Sequence, residues 1–552
     1  MVVSLGACTQ VSAAGPGGGA FPTSTPSRTL RVAVRTEPPS LSRKALRPGA
    51  TTLSTTLRVF NAELSLYDDG GAARPMLAQA LPELNTSTWQ VQTDGQMETT
   101  YRLKPGLTWH DGTALSAEDF VFAWRVYRTP DFGLASATPW NAMTDAKAPD
   151  PSTLVAQWSR PFPDAGGLDM PPMPRHLLEA GLQGNDANAF AALPYWTREY
   201  VGLGPYHLTQ WEPGSVLEAE AFPGFVFGRP RIDRVQVRFM GDANAALASF
   251  LAGDIDVLAD VVVSSQQLPA LKSELVTRGA GSYVFQPGIY RQAAFQLRPE
   301  LAAPKTLVDV RLRKALAYTL DKPGLNDAIY GGDGIMADSP LPASHKYFTQ
   351  ADQATTKYAY DPRKGDQFLV EAGFIKGSDG VYASAAGPFS AEIKTNTSAQ
   401  FETEMHVLAD GWRRVGLPFT EAITPTALVS DGETRATFSG VYSFGSPAAD
   451  AALRNFTSTS IPSADNRWIG SNRGGWANAD YDRLARAYDT TLDQSQRAQG
   501  AAQLMKILTD EVPSVALDFD PDVIAFVSKL TGPKPGAYLT EIAWNIHEWA
   551  LS

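Results

Sequence analysis

Alternating apolar and polar positions mark strands at intervals along this chain, and apolar positions three and four apart mark helices between them. Residues 29–42, "TLRVAVRTEPPSLS", alternate and then run into a Pro-Pro loop, which predicts the first strand of the ordered part. "VGLGPYHLTQWEPGSVLEAEAF" (201–222) reads as a Gly-Pro turn, an alternating strand, a Pro-Gly turn and a second strand. "RIDRVQVRFMGDANAALASFLAGDIDVLADV" (231–261) predicts strand, amphipathic helix and strand. Its Ala246, Phe250 and Leu251 are helix-spaced, and Gly253 marks the helix C-cap. Residues 309–332 carry Leu312, Leu316 and Leu320 in an i, i+4 stripe that breaks at Asp321-Lys322-Pro323. Residues 478–517 read as two helices and a Pro-terminated approach to a strand. Strands alternating with helices at this scale predict β-α-β layers of parallel type.

One stretch decides between an enzyme and a binding protein. "YRLKPGLTWHDGTALSAEDFVFAWR" (101–125) crowds a tryptophan, a histidine and three acidic residues together. Lys104-Pro105-Gly106 is a turn signal, and the β-prone residues at 99–103 and 107–110 predict a hairpin around it. Ser116 and Asp119 form a capping box, with Glu118 also in the first turn, where the helix dipole favours negative charge. Phe120, Trp124 and Tyr127 share a helical face, and Pro130 ends the helix. Glu118 and Asp119 therefore have structural work, and His110 and Asp111 sit at a tight turn. Nothing pairs a nucleophile with a base. The stretch is a fold marker.

Composition narrows the classes. At 552 residues the chain is long enough for about three or four domains. Its 47 basic and 58 acidic residues leave a net charge of −11, which disfavours nucleic acid and anionic membrane surfaces as partners. No apolar run approaches the ~18 residues that span a bilayer. The single cysteine, Cys8, excludes an intramolecular disulfide and a multi-cysteine zinc site.

The hairpin, Trp-His-Asp-Gly and Leu-Ser-Ala-Glu-Asp-Phe-Val-Phe-Ala-Trp of 101–124 resemble the signature of the family 5 solute-binding proteins of bacterial ABC importers. That family includes dipeptide-, oligopeptide- and nickel-binding proteins. Further segments resemble it in the same order: the helix with Gly-x-Ile-Asp before 257, "DVRLRKALAYTLD" from 309, "YDPRKGDQFLVEAGF" from 360 and the two helices from 478. The resemblance implies an α/β fold of the type II periplasmic-binding-protein kind, with two lobes, hinge strands and an extra small α/β domain on lobe 1. The first lobe is expected at 28–60, 196–283 and 518–552, the extra domain at 61–195 and the second lobe at 284–517. The aromatic tail "EIAWNIHEWAL" (541–551) is expected to pack on the first lobe. Leu5-Gly6-Ala7-Cys8 resembles a bacterial lipobox. Residues 1–27 are then expected to be a signal remnant and flexible tether, with Cys8 lipidated.

Catalytic chemistry finds no constellation. The six histidines are scattered, and neither His-Glu-x-x-His nor a phosphate-loop motif is present. "GVYSFG" (440–445) has Val441 where a nucleophile elbow needs its first glycine. "DFDPD" (518–522) lacks the glycine and distant glutamate of an EF-hand and reads as a strand end turning at Pro521. No enzyme activity, cofactor or metal is expected.

A binding cleft instead needs aromatic faces with amide and hydroxyl groups. The stretches 439–450 and 466–481 supply Tyr442, Ser443, Phe444, Gly445, Ser446, Trp468, Asn472 and Trp476, although such aromatics are more often core. In peptide-binding members, the region similar to 439–447 carries Trp-x-x-Asp, the aspartate pairing with the peptide's ammonium. Aligned on Pro447, Gly440 and Ser443 stand there, with Asp450 a few residues on. The resemblance therefore implies a monomeric, lipid-anchored, extracytoplasmic protein that delivers a small solute to ABC permease subunits. That solute would be a peptide or a peptide-like, capped or neutral molecule. A ligand sensor on the same scaffold is the alternative, and a secreted hydrolase the third.

Overall fold

The computed structural model describes residues 28–552 apart from 45, 47–53, 136, 185, 261, 265–266, 449 and 538–542. Cys8 and the expected tether lie outside the described residues. An 11-stranded mixed sheet organises the molecule. From one edge its strands run Phe419–Thr424, Ala391–Asn396, Val441–Pro447, Gly281–Phe295, Ser514–Val527, Val257–Leu258, Thr29–Val34, Arg234–Phe239, Val216–Ala221 and Tyr206–Glu212. Ile335–Met336 pairs to the side of Ser514–Val527.

The expected parallel layering holds only in part. Thr29–Val34 runs parallel to both its neighbours, and so does Ala391–Asn396. The hairpin strands and the two long central strands are antiparallel. Those two long strands, Gly281–Phe295 and Ser514–Val527, carry the chain between the lobes.

"DFDPD" is not a strand end, which corrects the expected turn at Pro521. It lies inside Ser514–Val527, where Pro521 sits opposite Pro287. Neither proline has an N–H to donate, so facing each other they concentrate the missing ladder hydrogen bonds at one position. The register shifts between Pro287 and Ile289. The sheet is thus continuous but thinly bonded where the lobes meet.

Residues 89–158 add a four-stranded sheet in the order Trp89–Val91, Met97–Arg102, Thr153–Trp158, Met143–Asp150. The predicted hairpin about 104–106 does not form. Gly106 does turn, with φ of 73°, but Met97–Arg102 is paired on one edge by Thr153–Trp158, and residues 77–79 bond to Arg102, Leu103 and Lys104 on the other, leaving none for residues 107–110. The capping box is present, and helix Ala117–Arg128 follows it. Asp119 accepts from the Ser116 N–H (2.9 Å) and the Arg175 N–H (3.0 Å), tying the helix start to the next helix. His110 Nδ1 accepts from the Gly202 N–H at 3.1 Å, and its Nε2 lies 3.0 Å from the Gly204 carbonyl. Burial pushes this imidazole down to about 4, so it is neutral and structural.

Packing explains the rest. The added sheet and the first lobe share one core, in which Leu30 and Val32 join Trp109, Trp158, Trp196 and Trp549. Ala543, Trp544 and Ile546 of the tail belong to it too. The second lobe packs apolar clusters around Trp412 and around Tyr481. The leucine-striped segment breaks as expected into Val310–Tyr318 and Lys322–Tyr330, with Asp321 capping the second helix.

Candidate functional site

The sequence-predicted residues gather on the second lobe, around strand Val441–Pro447, which pairs with Gly281–Phe295. Successive side chains of a strand point to opposite faces. Tyr442 and Phe444 share one face with Ala294 and Phe438, and Tyr442 donates its hydroxyl to Asn396 Oδ1 at 2.8 Å. Ser443 points the other way and is 1% exposed. Its hydroxyl lies between Glu404, to which it donates, and Arg291, whose Nη2 donates to it at 3.3 Å. Gly440 and Gly445 mark close approaches: a Cβ would meet the Glu392 carbonyl at 2.1 Å and Ile289 Cγ2 at 2.4 Å respectively. No tryptophan fits at 440 against that backbone. Ser446 is buried opposite Tyr290.

The loop after residue 456 brings in the others. The Asn472 amide donates to the carbonyls of Phe456 (3.2 Å), Thr457 (3.0 Å) and Trp476 (2.7 Å), so it holds the loop together. Trp476 packs edge-on against Tyr481 in the lobe core. Trp468 is half-buried with φ of 60° and lines a cavity of about 300 Å³. Phe444, Asn472 and Trp476 line a smaller crevice beside it. The residue shared by both was missed in the sequence. Arg473 stacks its guanidinium 4.0 Å over the Phe444 ring. Its only sequence signal was a basic residue between the aromatic and amide positions of "NRGGW".

Asp450 is brought to a different place. It accepts from His345 Nε2 and from the Tyr488 hydroxyl, both at 2.7 Å, with Arg497 3.6 Å away. Burial pushes its carboxyl up, but His345, Lys346 and Arg497 outweigh that and hold it below the usual carboxylate range. Its Oδ1 takes both hydrogen bonds and its Oδ2 faces Arg497, all partners within the second lobe.

The lobe crossing is electrostatically loaded. Arg291 and Glu404 form a two-pronged ion pair at 3.0 and 2.7 Å, 1% and 0% exposed. Asp518 accepts from the Tyr330 hydroxyl at 2.8 Å, while its Oδ2 has no hydrogen-bond partner among the described residues. Burial, with the Glu404 charge beside it, pushes Asp518 up to about 7. Asp522 is likewise pushed up to about 7 by burial and then by Asp260 and Asp520. Among the described residues no group of three or more side chains is arranged to hold a metal ion.

A sheet that passes from one lobe to the other along two antiparallel strands is the fold of the type II periplasmic-binding-protein kind. The chain belongs to the family described as "Bacterial extracellular solute-binding proteins, family 5 Middle", whose model matches residues 79–463. It is 26% identical over 497 residues to the oligopeptide-binding protein AppA of Bacillus subtilis, covering 86% of this chain and 83% of that protein. It is 24% identical over 452 residues to the probable D,D-dipeptide-binding periplasmic protein DdpA of Escherichia coli, covering 78% of each. Among solved structures, the fold is similar to NikZ of Campylobacter jejuni in complex with Ni(L-His). The TM-score is 0.73 at 21% identity, over 95% of this chain and 100% of that one. Bacillus subtilis AppA in complex with a nonapeptide gives a TM-score of 0.70 at 21% identity, over 96% and 100%.

Proposed function

We propose that the chain is the extracytoplasmic substrate-binding component of an ABC importer, taking up a peptide or other small solute between its lobes and delivering it to permease subunits. The observation that carries this is the crossing at Pro287 and Pro521, where two thinly bonded strands join the lobes. Such a crossing lets lobes rotate about a few backbone torsions while each core stays intact. Relatives named for oligopeptide and D,D-dipeptide binding support the solute class. The lipobox-like Leu5-Gly6-Ala7-Cys8 supports a lipid anchor on the outer face of the cytoplasmic membrane, and the protein acts as a monomer. No helix among the described residues is long and apolar enough to cross a membrane.

Small-angle scattering tests closure. Loading with a short-peptide pool should reduce the radius of gyration, and an unchanged radius with peptide demonstrably bound would overturn the reading. Membrane fractionation of the precursor beside Cys8→Ala tests the anchor. Equal distribution of the two, with no acyl chain on Cys8, removes it.

A further inference from the structure

The 300 Å³ cavity on the second lobe carries a chemistry that the family assignment does not supply. Three arginines line it, Arg435, Arg467 and Arg473, together with Trp468, Ser430 and Gly470, and no lining residue is acidic. No ion pair engages any of the three guanidiniums among the described residues. Arg473 is only 8% exposed, and its charge lies over Phe444 at 4.0 Å and near Tyr442 at 5.5 Å. A buried guanidinium without a carboxylate is costly, and two more beside it add repulsion. Planar donors converging on a cavity match the oxygens of a carboxylate or phosphate.

The walls are held in place independently of any ligand. Arg298 donates to the carbonyls of Pro462 (3.2 Å), Arg473 (2.7 Å) and Ala436, joining the three segments that carry the arginines. Gln296 reinforces it by donating to Ala436 (3.2 Å) and Phe438 (2.7 Å). Arg467 and Trp468 are consecutive non-glycine residues in the left-handed region, with φ of 56° and 60°. At Gly470 a Cβ would meet the Ser460 carbonyl at 2.1 Å. Strained backbone persists where its surroundings over-determine it, and such positions cluster at ligand sites.

We propose that Arg435, Arg467 and Arg473 form a binding site for an anionic group, a carboxylate or a phosphate, seated against Trp468. All its residues lie within 430–473. The site is therefore complete on one lobe, and anion binding there does not require the lobes to close. It stands apart from the delivery function proposed above.

Calorimetry on the full chain with acetate and with inorganic phosphate, in separate titrations, tests it and separates the two chemistries. At least one anion should bind at one site with the radius of gyration unchanged. Arg435→Gln and Arg467→Gln, both at solvent-reached positions, should each weaken it about ten- to a hundredfold, the usual weight of a charge-assisted bond. Arg473→Gln should weaken it further. Arg483→Gln, on an exposed helix elsewhere in the lobe, should bind as the parent does. Binding of neither anion at millimolar concentration overturns the site. So does binding that Arg435→Gln and Arg467→Gln leave intact, or that Arg483→Gln weakens equally.

Discussion

Glu404 receives both arms of Arg291, linking helix Ala399–Val415 to the long strand that leads into the lobe crossing. Arg291 also lies 3.9 Å from the Phe401 ring centroid, so its charge is enclosed by one carboxylate, one hydroxyl and one aromatic face. Breaking such a buried pair leaves one charge uncompensated. Glu404→Gln should cost about 3–5 kcal/mol of stability. Arg291→Met combined with Glu404→Leu should recover most of it, because neither charge is then buried. Urea unfolding of the three proteins decides this, and a double variant as unstable as Glu404→Gln would refute the account.

Asp518 and Asp522 give the crossing a pH dependence of defined sign. Their folded values, near 7, lie above the ordinary 3.8, so the folded chain holds protons that the unfolded chain has released. Their contribution is fully present below pH about 4 and is lost as pH rises through about 7. Asp518→Asn with Asp522→Asn should flatten that decline and raise the melting temperature at pH 8 relative to the parent. Tyr330 can still donate to the new amide oxygen. Thermal melts across pH 4–8 that run parallel for parent and variant would count against it.

Among the described residues, two ion pairs join the lobes. Lys346 Nζ lies 3.6 Å from Asp164 Oδ1 in the added domain, and Lys272 pairs with Asp333. Half-exposed pairs are worth only about 0–1 kcal/mol each and are screened by salt. That is enough to bias a hinge without locking it. Lys272→Ala with Lys346→Ala should enlarge the ligand-free radius of gyration, and high salt should do the same to the parent. A scattering profile indifferent to both would show that these pairs do not bias the opening.

Selectivity should not depend on a free peptide amine. Ser443 is spent on Glu404 and Arg291, and Asp450 on His345 and Tyr488. No carboxylate is thus left at either position to face an ammonium. N-acetylation of a bound peptide should change its affinity by no more than about 0.5 kcal/mol, roughly twofold. Removing one partner of a buried charge pair would instead cost about 3–5 kcal/mol, on the order of a hundred- to a few thousandfold. Calorimetry with matched free and acetylated peptides distinguishes these, and a large loss on acetylation would defeat the prediction.

Local rules were sufficient wherever neighbours along the chain decide the outcome. Period-two and helical spacings marked Thr29–Val34, Tyr206–Glu212, Val216–Ala221 and the split helix after Asp321. The capping box of Ser116 and Asp119 set the start of Ala117–Arg128 and removed the apparent active site. Ordered segments along the chain were enough to identify the family. What required the tertiary structure was everything that depends on a distant partner. Residues 107–110 fail as a strand because Thr153–Trp158 pairs along one edge of Met97–Arg102, while Trp89–Val91 and residues 77–79 take the other. Pro521 continues a strand because Gly281–Phe295, more than two hundred positions earlier in the chain, pairs with the residues on both sides of it. Ser443, Asn472 and Asp450 look like free polar groups in sequence, but burial obliges each to bond within the lobe. Arg473 is the converse case. Its charge is plain in the sequence, and only the fold lays it over Phe444, with no ion pair to it among the described residues, which is the ground for the anion site proposed above.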